Sequence, residues 1–301
     1  MRILFITATR IGDATLSTAT LEALRVQYPH ARFTIACGAI AAPLFAEFPA
    51  LEALIPLTKH AYAGHWVDLW RATVGTHWDM VVDLRGSLLG YFLRAKERIR
   101  FKGKQPLGGS MAHQWSRCAG FAGTPLPALW WGDATAKSAE SFLAALPSPV
   151  LALAPAANWP PKEWPLDSFI ALINALDSVQ RKEGRTPLSY LVVAAPAEVA
   201  RIAPLLDALP PNRTLLLAGE MDLLGVAAAL SRCAVFVGND SGLMHIAAAV
   251  GIPTIGLFGP TNEALYAPVG SCAAFLRAPD GDLSALSVTD VTNTLAHMLN
   301  A

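Results

Sequence analysis

The sequence predicts an α/β protein built as two domains of parallel sheet. Three observations carry that expectation. Short apolar runs alternate with amphipathic helical stretches along the chain, the order that builds parallel sheets covered on both faces. The 301 residues exceed what one core usually organises, and at 53% hydrophobic and 15% charged they hold apolar material enough for two. The succession of strand, loop and helix also starts afresh near residue 149, past a proline-rich stretch that includes Pro125, Pro127, Pro147 and Pro149. The domains are therefore expected at 1–148 and 149–301, facing one another across a cleft.

The elements follow in order. Residues 2–7 read as the first strand, 8–13 as a loop and 14–28 as an amphipathic helix ended by Pro29. Residues 32–37, 54–57 and 80–84 read as further strands, with helices at 41–48 and 66–74 and a flexible loop at 108–113. A short helix is expected at 134–146. In the second half, 150–153, 190–194, 214–217, 234–237, 254–258 and 273–276 read as strands. Helices are expected at 166–176, 197–209, 222–230 and 243–250, and a closing helical run at 283–301. Parallel sheets place ligands at the carboxyl ends of their strands, so Asp13, just past the first strand, stands at a functional address. Capping the helix that follows is its other reading.

The stretch 234–261 organises the second half. A buried strand leads into Gly-Asn-Asp-Ser-Gly at 238–242, which is turn chemistry with Asp240 or Ser241 as a natural N-cap. An Ala-rich helix follows and stops at Gly251 and Pro253. The first N–H groups of a helix are unpaired and its dipole is positive there, so Ser241 and Gly242 suit a phosphate. An ordinary capped helix fits the local pattern equally well.

Composition narrows the function classes. Lys+Arg and Asp+Glu both number 23, which is no nucleic-acid signature. Cys37, Cys118, Cys233 and Cys272 are too dispersed for a zinc set and read as reduced thiols of a cytosolic protein. The apolar run at 3–8 reads as a strand rather than a leader, and no run is long enough to span a bilayer. Arg94, Lys96, Arg98, Arg100, Lys102 and Lys104 occupy alternate positions, so an extended backbone would line them up as a basic face for an anionic partner. A solvated surface segment reads the same way. Asp280-Gly-Asp282 spells a D-x-D motif, but its place before the last helix reads as a cap, and no metal site is expected.

Four motifs then stand in order: Arg-Ile-Gly-Asp at 10–13, Lys-Glu-Trp-Pro at 162–165, Asn-Asp-Ser-Gly-Leu-Met-His at 239–245 and Phe-Gly-Pro-Thr at 258–261. Together they resemble the ADP-heptose:lipopolysaccharide heptosyltransferases of glycosyltransferase family 9, over nearly the whole chain. The resemblance implies a GT-B fold of two Rossmann-like domains, the first for the acceptor and the second for the donor, with the C-terminal helix crossing back to the first domain. It implies inverting, metal-independent and cofactor-free transfer of a heptose from a nucleotide-activated donor, ADP-heptose, to the inner core of lipopolysaccharide. The setting implied is the cytoplasm, with peripheral contact at the inner membrane.

Roles follow residue by residue. Asp13 matches the general base that takes a proton from the acceptor hydroxyl. Lys162 matches the lysine that offsets charge on the leaving diphosphate. Ser241 and Gly242 match the phosphate-binding helix start, Asp240 the contact to sugar hydroxyls, and Asn158 a polar phosphate contact. His245 and Met221 are further donor-side candidates, with core packing as the alternative for each. Arg98, Arg100, Lys102 and Lys104 are candidates for acceptor phosphates or anionic lipid. Two departures stand out. Leu224 occupies the place where the family carries a glutamate for the donor ribose, with Glu220 as a neighbouring substitute, and the 194–196 loop, Ala-Ala-Pro, lacks the usual glycines. A member using another nucleotide sugar or a protein acceptor, and a non-catalytic nucleotide-sugar binding protein, are the other readings. An NAD-dependent dehydrogenase is disfavoured, because no G-x-G-x-x-G follows a strand.

Overall fold

The structure is a computed structural model that describes residues 1–58, 64–103, 108–123 and 125–300. The chain divides into two compact units, residues 1–132 and 133–301.

In the first unit β1 (Arg2–Ile6), β2 (Arg32–Gly38), β3 (Leu51–Leu57), β4 (His77–Asp83) and β5 (Arg94–Arg100) make a parallel sheet in the order β3-β2-β1-β4-β5. β1 is central and Ile3 to Ile6 are wholly buried, as a strand covered on both faces requires. The helices are α1 (Ile11–Gln27), α2 (His65–Thr73) and α3 (Met111–Cys118). α1 starts earlier than the expected 14, with Arg10 as an extended N-cap, so Asp13 sits inside its first turn. The expected loop at 108–113 ends at Ser110, the N-cap of α3, whose hydroxyl accepts from His113 N at 3.3 Å. The basic run is an edge strand, β5, paired with β4 along its length.

The second unit opens with α4 (Asp133–Leu143), then β6 (Val150–Ala154), α5 (Leu166–Lys182), β7 (Ser189–Val193), α6 (Val199–Ala208) and β8 (Thr214–Leu217). It continues with α7 (Leu223–Leu230), β9 (Val235–Asn239), α8 (Gly242–Ala249), β10 (Thr254–Phe258), α9 (Glu263–Tyr266), β11 (Ala273–Arg277) and α10 (Val288–Asn300). Its sheet is parallel in the order β11-β10-β9-β6-β7-β8. Two glycines permit close packing here. A Cβ on Gly256 would meet Met244 Sδ at 2.2 Å, so α8 lies directly on β10, and one on Gly238 would meet Ala154 Cβ at 2.7 Å.

The compact units divide at 132/133, against an expected boundary at 148/149, because α4 packs against α7 and so groups with the second unit. The closing helix is part of the second unit as well. Val291 and Leu295 of α10 are fully buried in the same core as Phe169, Leu172 and Leu176 of α5. Truncating Leu295 to Ala should therefore lower the unfolding free energy of the second unit by roughly 2–5 kcal/mol, the cost of a buried leucine cavity, read from urea unfolding.

Candidate active site

Each sheet has one topological switch point, where the chain leaves neighbouring strands in opposite directions. In the second sheet it lies between β6 and β9, since β7 and β8 extend one side and β10 and β11 the other. Ligands of open α/β sheets bind outside the carboxyl ends at such a point. The segments leaving those ends are the 155–165 loop after β6 and the 240–242 turn after β9.

Asn239, wholly buried at the end of β9, ties the two segments together. Its Oδ1 accepts from Trp164 N at 2.9 Å and its Nδ2 donates to Pro155 O at 2.7 Å. Trp164 is anchored in the core edge-on to Phe169, 4.9 Å between ring centres, and donates from Nε1 to Leu286 O. Glu163 accepts from Ala157 N at 2.7 Å and pairs with Arg201 at 2.9 Å. With both neighbours downstream held, Lys162 is left to direct its ammonium at Asp240. Nζ lies 2.6 Å from Oδ2, with the lysine side chain 20% and the aspartate 6% exposed. Removing one partner of so enclosed a pair strands the other charge, a loss of several kcal/mol.

The start of α8 adjoins this pair. Ser241 is the N-cap of α8, as expected, with extended backbone and a side chain that makes no capping bond. Its Oγ, Nδ1 of His245 and Oγ1 of Thr261 are buried polar atoms with no hydrogen-bond partner among the described residues. Such atoms are uncommon in folded proteins and each costs about 1–3 kcal/mol, so three of them around the ends of β9 and β10 mark a polar binding surface. His245 is 5% exposed, and burial pushes its pKa down to about 4, opposed by the charge of Asp240 and reinforced by that of Lys162. It is neutral at pH 7.

The other donor-side candidates fall around this centre. Asn158 is exposed in the loop that carries Lys162, and half-buried Met221 lies over Gly225 just before α7. Leu224 is 1% exposed, inside α7, and Glu220 accepts from its own turn at Ala218 N, 2.5 Å away. Asp282 accepts from Ser284 N at 2.9 Å, the capping role expected for it. Among the described residues, no three His, Cys, Asp or Glu side chains gather as a metal set.

In the first sheet the switch point lies between β1 and β4. Asp13 stands half-buried beyond β1, in the first turn of α1. Asp83 ends β4, opposite Ile6, and is 2% exposed. It accepts from Arg85 N at 2.9 Å and from the Ser87 hydroxyl, while burial pushes its carboxyl pKa up against those bonds. Asp83 and Thr261 were not among the residues expected. A charged residue closing an apolar strand was the available signal for the first, and membership of the Phe-Gly-Pro-Thr motif for the second.

In the basic run, Arg98 donates to the carbonyls of Gly90, Leu93 and Ala95, and Arg100 to those of Gly86 and Ser87. Both therefore clamp the 86–95 segment while keeping their positive charge. Lys102 is exposed beyond β5, and Lys104 lies outside the described residues.

The His245 shift has a pH consequence. The unfolded chain takes a proton near the ordinary 6.5 while the folded chain resists until about 4, so stability present above 6.5 is lost as pH falls through that window. The stability difference between the native protein and His245→Asn should shrink by about 3 kcal/mol between pH 7 and pH 4 in urea unfolding. A difference that stays constant with pH would show the imidazole is solvated.

Comparison with known proteins agrees with this geometry. Residues 118–294, more than half of the chain, match the family model for glycosyltransferase family 9 (heptosyltransferase). The lipopolysaccharide heptosyltransferase 2 of Salmonella typhimurium is 22% identical over 93% of this chain and 89% of its own length. The crystal structure of a glycosyltransferase family 9 protein from Veillonella parvula superposes with a TM-score of 0.84 at 19% identity, covering 99% of this chain and 97% of that one. The structure of the Escherichia coli ADP-heptose lps heptosyltransferase II does so at 0.81 and 20% identity, covering 100% and 99%. The two parallel-sheet units are those of the GT-B class, and the chain belongs to glycosyltransferase family 9, the heptosyltransferases.

Proposed function

We propose that this glycosyltransferase moves a heptose from ADP-heptose to an inner-core acceptor of lipopolysaccharide, with inversion and without a metal ion. The observation that carries the reading is the Lys162–Asp240 pair at the second switch point, beside a helix start whose N-cap side chain, Ser241, makes no capping bond. Heptose, its ADP carrier and the lipopolysaccharide acceptor come from the names of the relatives.

The second unit holds the donor in this reading. A diphosphate brings more negative charge than one carboxylate and competes for the Lys162 ammonium, while the start of α8 and the hydroxyls of Ser241 and Thr261 supply further donors. Asp240, released from Lys162, becomes an acceptor for sugar hydroxyls. As the glycosidic bond breaks, both electrons leave with the β-phosphate oxygen, and Lys162 stabilises that charge more in the transition state than in the bound donor. Neutral His245 adds no competing charge.

The first unit serves the acceptor. Asp13 takes the proton from the attacking hydroxyl as its oxygen bonds to the anomeric carbon, on the face opposite the departing diphosphate, which inverts that centre. Lys102, exposed beyond β5, is a basic partner for an acceptor phosphate. The site of action is the cytoplasmic face of the inner membrane.

Purified protein with ADP-heptose and a heptose-deficient core acceptor tests the reading. Asp13→Ala should lower kcat on the order of 10²–10⁴-fold with donor affinity unchanged. Lys162→Ala should lower kcat on the order of 10²-fold or more and weaken ADP as well. Absence of transfer by the native protein, or full activity in Asp13→Ala, would overturn it. Transfer from a different nucleotide sugar would keep the chemistry and replace the donor.

A further inference from the structure

We propose that the first unit docks on an anionic lipid bilayer through an apolar hollow formed by α2 and residues 86–93. The proposal deepens the function above, since an acceptor with a lipid part is met at a bilayer surface, but its evidence is independent of the donor site.

α2 has two apolar faces. His65, Leu69 and Thr73, spaced by four, are its buried side, and Leu69 joins the core that β1 and β4 form. Trp66 and Trp70, also spaced by four, lie with Val67 on the remaining surface. With Leu88, Leu89 and Phe92 they line a hollow of about 600 Å³. Leu88 is 60% exposed, Phe92 67% and the adjoining Tyr91 60%, so the rim is large apolar and aromatic side chains in water. Isolated exposed apolar residues need no account, but a contiguous group of this size marks a surface that something covers.

Charge selects the partner. The Arg85 guanidinium lies 4.7 Å from the centre of the Trp66 ring. The Arg98 and Arg100 guanidinium groups are hydrogen-bonded to carbonyls at both ends of the segment carrying Leu88, Tyr91 and Phe92. Carbonyl partners hold these cations in place without neutralising them. From residue 64 to 103 seven lysines and arginines stand against four carboxylates. Aromatic side chains beside fixed arginines suit the headgroup layer of an anionic bilayer, with rings at the interface and guanidinium groups on lipid phosphates. A second copy of this chain would bring like charge onto like. Among the described residues no helix is long and apolar enough to cross a membrane, so the contact is peripheral.

Co-sedimentation with phosphatidylcholine vesicles, with and without phosphatidylglycerol, tests this on the full chain in the absence of donor. The native protein should bind the anionic vesicles, release in high salt, and lose about tenfold in partitioning when Leu88→Ser and Phe92→Ser are combined. Both residues are exposed, so circular dichroism and thermal melting should not change, and neither should transfer to a deacylated soluble acceptor. No binding of native protein to anionic vesicles would overturn the proposal. So would equal binding by the double variant, or a dimer in light scattering that the double variant dissolves. If vesicles bind as stated but no heptose is transferred to the soluble acceptor, the functional reading fails and the docking surface stands.

Discussion

The second unit depends on how a lysine in a loop is made to meet an aspartate at the end of a strand. Lys162 and Asp240 are distant in the chain, and loops are ordinarily mobile. Here the loop is held at several points: Asn239 grips it at Pro155 and Trp164, Glu163 closes it onto Ala157, and the Trp164 ring is set in the core. The ion pair is thus preorganised by the hydrogen bonds that hold the loop around it. The lysine is held beside the start of α8, where the strand order reverses.

The two sheets use the same rule for different chemistry. Each presents a carboxylate at its switch point. Asp240 is neutralised by a lysine, whereas Asp83 is satisfied by backbone N–H groups and a hydroxyl, and Asp13 is carried half-buried on the first turn of α1. The edge strand β5 adds a third use of charge, with guanidinium groups that brace the 86–95 segment.

Much of this was legible in the residues. The apolar runs of β1, β4, β6, β9 and β10 and the turn at 238–242 announced two parallel sheets and a helix-start site, because burial on both faces leaves an unbroken apolar signature. The four ordered motifs located Asp13, Lys162 and Asp240. What escaped had physical reasons. β5 is an edge strand with one side in solvent, so alternating Arg and Lys read as a surface segment rather than a strand. α4 was assigned by position along the chain, but packing on α7, invisible to periodicity, groups it with the second unit. The clamping role of Arg98 and Arg100 and the burial of Asp83 are products of tertiary contact. Leu224, the departure from the resemblance, is a core residue of α7.

The proposed chemistry of the second unit turns on Lys162 exchanging its partner Asp240 for a nucleoside diphosphate. Calorimetric titration of ADP, UDP and GDP into the native protein and into Lys162→Ala, with and without magnesium, measures that exchange. ADP should bind most tightly, magnesium should make no difference, and Lys162→Ala should weaken ADP while the protein stays folded. Absence of diphosphate binding, or ADP binding that Lys162→Ala leaves unchanged, would contradict it.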